Sequence, residues 1–241
     1  MKILSFIFLG LGLVFLALFC KERVKAPSPK AVIYKSLASA AFIGIATSAL
    51  FASVAGTSNT LGFFVIFGLL FGLFGDIWLD LKFVYPADNN IWTFSGFYVF
   101  AVQHILIMIG LFLNFIIPRG SQFILVSVIM IVVGIAAGAL NVLFLEKPMK
   151  LNYGAYKKVS GFYGGILISM PLLLGALAIM TKFHYAAIDF MFFGEIFFLI
   201  SDLILSGTYF GEGKNRPVDV ITNHATYYIG QYLIALSLLF I

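Results

Sequence analysis

The chain is written in long apolar runs separated by short polar breaks. The runs lie near residues 3–20, 31–51, 61–81, 91–117, 122–145, 156–180, 187–209 and 222–241. Each approaches the ~20 residues a helix needs to cross ~30 Å of hydrocarbon. The breaks carry turn formers: Pro27 and Pro29, Thr57-Ser58-Asn59, Pro86 to Asn90, Pro118-Arg119-Gly120, Pro148, and Gly211 to Pro217. The strand-length alternation of a membrane barrel is absent from the sequence. Helices, which satisfy their own backbone hydrogen bonds, are the spanning option that remains. The pattern predicts an all-α, polytopic integral membrane bundle of eight transmembrane helices, residues 1–241 forming one domain.

Composition sharpens that reading. Of 241 residues, 62% are hydrophobic and 10% charged, against roughly 25% charged in a soluble domain. The net charge of +5 is scattered over short connections rather than gathered into a patch, so no nucleic-acid partner is expected. Its distribution reports orientation instead. The odd-numbered connections hold Lys21, Arg23, Lys25, Lys30, Lys35, Lys82, Lys147, Lys150, Lys157, Lys158, Lys214 and Arg216, whereas the other side holds Lys2, Arg119 and Lys182. By the positive-inside rule the odd connections are cytoplasmic and both termini lie outside, with a bacterial inner membrane as the expected location. The first run starts with Lys2 alone and lacks a small-x-small cleavage site, so it is expected to stay as a helix. Cys20, the one cysteine, excludes an intrachain disulfide.

Against this background a few polar residues stand out. Asp76, six residues before Lys82, is expected ~9 Å inside the cytoplasmic end of the third span. Asp202 sits at similar depth on the seventh. Carboxylates at such depth cost a few kcal/mol, so they face the bundle interior and mark function. Asn141 shares a face with Gly134 and Gly138; His224, Tyr228 and Gln231 form one stripe, and Tyr156, Ser160 and Tyr163 another. Lys35 enters from the cytoplasmic end of the second span. One polar chamber opening towards the cytoplasm would accommodate all of them. His104 is deeper, beside Gln103, and is expected to hydrogen-bond within the bundle. The three histidines lack paired spacing, so no metal and no cofactor is expected. Asp80, near the interface, is expected to be solvated or bridged to Lys82 or Lys35, and Glu195 shares Asp202's face at greater depth.

Two short repeats add a hint of internal symmetry. Gly68 to Asp76 and Gly194 to Asp202 both read Gly, seven residues, Asp, and Tyr34-Lys35 recurs as Tyr156-Lys157. Spans 1–4 and 5–8 are therefore expected to form two parallel four-helix halves, with the two aspartates facing each other.

The segments Gly68 to Asp76, Phe97 to His104, Ser201-Asp202 and Tyr227 to Ile234 together resemble the YhhN family of eight-span membrane proteins, whose animal members are lysoplasmalogenases. The resemblance implies catalytic acids at Asp76 and Asp202 and pocket residues at His104, Tyr228 and Gln231, with Lys35 at the family's lysine; Asn141 and Tyr163 join the expected substrate-binding set from their position. The chain departs from the pattern at Ser36, where the family has proline, and before His104, where it has glycine. The implied partner is a lysophospholipid taken from the bilayer. The implied reaction is hydrolysis of its vinyl ether, with the two aspartates sharing the acid and base roles. The competing class is a transporter of a small solute or lipid, disfavoured by outer halves built almost entirely of Phe, Leu, Ile, Gly and Ala, Asp189 being the exception.

Overall fold

The computed structural model describes residues 1–53, 60–144, 146–211 and 216–241. Eight long helices appear in the expected order: α1 (Lys2–Lys25), α2 (Pro29–Ser53), α3 (Thr60–Val84), α4 (Asn89–Leu111), α5 (Ser121–Phe144), α6 (Lys157–Met180), α7 (Ala186–Phe210) and α8 (Pro217–Leu236). Among the described residues there is no strand beyond an isolated bridge between Leu151 and Gly211. The predicted turn at Thr57-Ser58-Asn59, and Lys214, fall outside the described residues.

α8 begins at Pro217 rather than at 222. Proline suits the first helical position because its missing N–H would have no helical partner there. Asp219 completes the start: its Oδ2 accepts from the backbone N–H of Arg216 at 3.0 Å, and the Arg216 guanidinium grips both carboxylate oxygens. α4 runs on through a π turn (Phe112–Ile116) and a 3-10 turn (Ile117–Arg119) that contains Pro118.

Neighbours in sequence pack as hairpins, α1 on α2, α3 on α4, α5 on α6 and α7 on α8. α1 and α5 lie at the margin, exposing Phe6, Leu13, Val14, Leu125, Val132 and Ile135. In water such faces would be aggregation surfaces; in hydrocarbon they are solvated. The interior is filled by Phe42, Ile45, Leu69, Leu111, Met170, Leu173, Phe198 and Tyr228. α5 closes on α6 through Gly134 and Gly138, as its small-residue face predicted: a Cβ at Gly138 would lie 2.1 Å from the backbone nitrogen of Gly165. Among the described residues six helical segments are long and apolar enough to cross a membrane, which makes this a multi-pass membrane protein. α7 and α8, the two outside that set, carry Glu195 and Asp202, and Asn223, His224 and Gln231.

Candidate functional site

Because consecutive helices alternate in direction, the ends of α1, α3, α5 and α7 meet the beginnings of α2, α6 and α8, and the polar residues gather at this end. They form two compartments and a buried pair rather than the single chamber expected.

The first compartment is closed. Asp76 on α3 is 2% exposed. Its Oδ2 accepts hydrogen bonds from the Ser39 hydroxyl of α2 at 2.6 Å and the Tyr227 hydroxyl of α8 at 2.7 Å, while its Oδ1 lies 3.4 Å from Lys35 Nζ. Two donors on one oxygen and an ammonium on the other leave no place for a proton, so this is a carboxylate. Ser39, having given its proton to Asp76, accepts from Tyr228, whose hydroxyl also lies 3.1 Å from the carbonyl of Lys35. Gln231 donates to Tyr227 and forms a reciprocal amide pair with Gln103 at 3.0 and 3.2 Å. Gly72 makes room for that pair, since a Cβ there would sit 2.2 Å from Gln103 Oε1. Lys35 also faces Asp80, which Arg23 approaches at 3.8 Å. Asp80 is thus buried and bridged rather than solvated, and Lys82 turns away to stack on the ring of Tyr209.

The second compartment is open. Asp202 on α7 accepts from the Tyr163 hydroxyl of α6 at 2.6 Å. No cation lies within ion-pair distance of it among the described residues. Asp202, Tyr163, Ser160 and Asn141 line a cleft of about 650 Å3 between α5, α6 and α7, otherwise walled by apolar groups such as Phe97, Leu167, Leu199 and Leu203. The α5–α6 connection covers its end. Asn152 donates to the carbonyl of Phe210, Tyr153 packs on the Phe210 ring, and Lys157 holds Glu146 at 2.6 Å. That ammonium keeps the Glu146 carboxyl below its usual range.

Between the compartments stands an aromatic wall. Phe100, Phe198 and Tyr227 meet edge to face with centroids 5.2 to 6.0 Å apart. Tyr227 is the phenol bonded to Asp76, and Phe198 packs on His104, whose ring in turn meets Tyr163. Behind the wall His104 and Glu195 are both fully buried. His104 Nδ1 lies 2.7 Å from the carbonyl of Phe100, which can only accept, so Nδ1 carries a hydrogen. Nε2 lies 3.2 Å from Glu195 Oε2, close enough for an ion pair but out of line for a hydrogen bond. One proton held between them satisfies both groups; with none, a lone pair would face a carboxylate.

The residues singled out in the sequence are therefore divided. Lys35, Tyr228 and Gln231 gather around Asp76; Asn141 and Tyr163 accompany Asp202; His104 pairs with Glu195. Neither Asp76, Lys35, His104, Tyr228 nor Gln231 lines the cleft. Sequence reasoning missed Ser39, Tyr227, Gln103 and Arg23 as members of the network. A usable signal existed for two of them: Ser39 lies one turn after Lys35, and Tyr227 one turn before Gln231. Among the described residues no group of three or more metal-ligating side chains occurs.

A model of the YhhN family matches residues 30–238, which include both aspartates and the whole polar network except Arg23. No curated protein and no solved structure matches the chain.

Proposed function

Because the chain belongs to the YhhN family, we propose that it is a membrane-embedded hydrolase cleaving the vinyl ether of lysoplasmalogens to a fatty aldehyde and a glycerophospho-alcohol. The observation that carries this reading is Asp202, held by one phenol and opening on an apolar cleft at the end of the bundle where the lysines collect. All eight helices cross the bilayer in this reading, with that end cytoplasmic and both termini outside. The lysophospholipid enters from the bilayer and its chain lies along the Leu and Phe side chains of the cleft.

The hard step is protonation of the vinyl carbon that is not bonded to oxygen. Asp202 has a single hydrogen-bond donor and no facing cation, so it is the acid that supplies this proton. The C–H bond forms as the double bond shifts, leaving an oxocarbenium ion that the new carboxylate stabilises. Water adds to the carbon bonded to the ether oxygen and returns a proton to Asp202, and the hemiacetal collapses to aldehyde and alcohol. Tyr163 fixes the carboxyl's orientation, and Asn141 and Ser160 offer hydrogen bonds to the incoming water or glycerol. Asp76 acts as a positioning residue through Tyr227, whose ring leans on Phe198 at the back of the cleft.

The test is aldehyde release by purified protein from vinyl-ether lysolipid and from its acyl and alkyl analogues. The vinyl ether alone should react, and Asp202→Asn should abolish aldehyde release while the protein remains folded. Undiminished turnover in Asp202→Asn, or equal reaction of the acyl analogue, would refute the proposal.

A further inference from the structure

Lys35, which the resemblance places in the pocket, has its charge consumed internally, 3.4 and 3.7 Å from Asp76 and Asp80 and 4% exposed. The guanidinium of Arg23, at the end of α1, is differently placed. It stacks on the Phe83 ring at 3.7 Å, and its Nε approaches Asp80 at 3.8 Å, too long for a hydrogen bond. Among the described residues its N–H groups have no hydrogen-bond acceptor. They open on two adjoining clefts, one of about 300 Å3 beside Asp80, Tyr209, Asn223 and His224, the other of about 540 Å3 beside Lys25, Pro27 and Pro217.

The surrounding charge is unbalanced in the same direction. At the ends of α1 to α3, Lys21, Arg23, Lys25, Lys30, Lys35 and Lys82 outnumber the carboxylates Glu22, Asp76 and Asp80. Glu22 is shared by Lys25 and Lys30, and Lys82 lies over the rings of Phe83 and Tyr209. Arginine is also the side chain whose planar fork fits phosphate oxygens in pairs.

We propose that the Arg23 cleft is a phosphate-binding site, occupied by the phosphate of a glycerophospholipid headgroup or by free phosphate. The site rests on the reading above only in its connection to substrate: the smaller cleft and the Asp202 cleft back onto each other across Leu205 and Tyr209. A headgroup held at Arg23 would lie next to the compartment that takes the chain.

Binding, rather than turnover, is the test. Purified full-length protein in detergent is titrated with a single-chain glycerophosphate lipid, with inorganic phosphate, and with the monoacylglycerol of the same chain. Arg23→Gln should weaken the phosphate-bearing lipid by about tenfold or more, Arg23→Lys by less, and Lys182→Gln not at all; the monoacylglycerol should bind all forms alike. Should Arg23→Gln fail to fold, protection of Arg23 from phenylglyoxal in the wild-type protein, read by mass spectrometry, replaces it. Protection by the lipid alone identifies a headgroup site, and equal protection by inorganic phosphate a free-anion site. Equal binding by Arg23→Gln and wild type, or protection by neither phosphate ligand, would overturn the proposal. A protein that binds phosphate at Arg23 yet releases no aldehyde would keep this site and lose the hydrolase.

Discussion

Asp76 and Asp202 occupy the same place in two halves of one bundle, yet one is sealed and the other open. The packing of α1–α2, α2–α3, α3–α4 and α2–α8 recurs as α5–α6, α6–α7, α7–α8 and α6–α4. A Cβ at Gly68 would meet the carbonyl of Gln103 and Ile107, and one at Gly194 would meet the carbonyl of Gly230 and Ile234, so α3–α4 and α7–α8 close at matching points. Between α4 and α8, Gln103 and Gln231 exchange hydrogen bonds reciprocally. In each half the third helix supplies the acid and the second a hydroxyl, Ser39 in one and Tyr163 in the other. What differs is the helix outside. α1 brings the fully buried Phe19 against Lys35 and Arg23 against Asp80; α5 brings Gly138 and Asn141 to the wall of the cleft. The connection α1–α2 is three residues long, while α5–α6 is long enough to form a cover of its own. Matching positions thus sit in a closed network in one half and beside an open cleft in the other.

The sharpest way to break this comparison is to remove a charge from each half. Lys35→Met leaves Asp76 and Asp80 buried with one cation fewer, a loss of about 3–5 kcal/mol for breaking a buried pair. Asp202→Asn removes a group without an ion-pair partner and should change stability by less than about 1 kcal/mol while ending turnover. Thermal unfolding in detergent and aldehyde release, measured on both variants, should move in opposite order. Similar destabilisation by the two would mean that the halves are not divided in this way.

A smaller effect tests the seam between α4 and α8. Gln103→Leu or Gln231→Leu alone strands a buried amide, at about 1–3 kcal/mol each. The double variant should recover part of that loss, because neither amide is then left unpaired. Additive losses would show that the two glutamines do not act as a pair.

The sequence made the bundle readable because hydrocarbon imposes one rule on every span, and eight runs near the required length need no tertiary information. The grouping of polar residues at one end was readable too, since helix direction alternates. Their division was not. Depth along a helix follows from counting residues, but whether Asp76 and Asp202 see each other depends on the rotation of α4 and α7, which sets the rings of Phe100 and Phe198 between them. Phenylalanine occurs 28 times in the chain, so nothing marked these two as a wall. Of the two expectations for Asp80, the bridge to Lys35 is the one found; the approach of Arg23 was not legible, because it comes from another helix.

The smallest expected effect concerns the cover that exists in the second half only. Lys157 lowers the proton affinity of Glu146, so the pair's contribution is complete above the ordinary carboxylate range and is lost as pH falls through the lowered value. The pair is solvent-exposed and screened, so global stability should barely respond. The local consequence is more specific: the Asn152 amide, which donates to the Phe210 carbonyl at the cleft's edge, should exchange faster once Glu146 is protonated. Hydrogen exchange at pH 7 and at about pH 3, corrected for intrinsic rates, should show protection lost in the wild type, whereas Glu146→Gln should lack that protection at both. The residues around Asp76, with no such cover, should keep their protection. If Glu146→Gln protects Asn152 as well as the wild type does at pH 7, the connection is held by the Phe210 contacts alone, and the difference between the halves lies in Gly138 and Asn141 rather than in the loop.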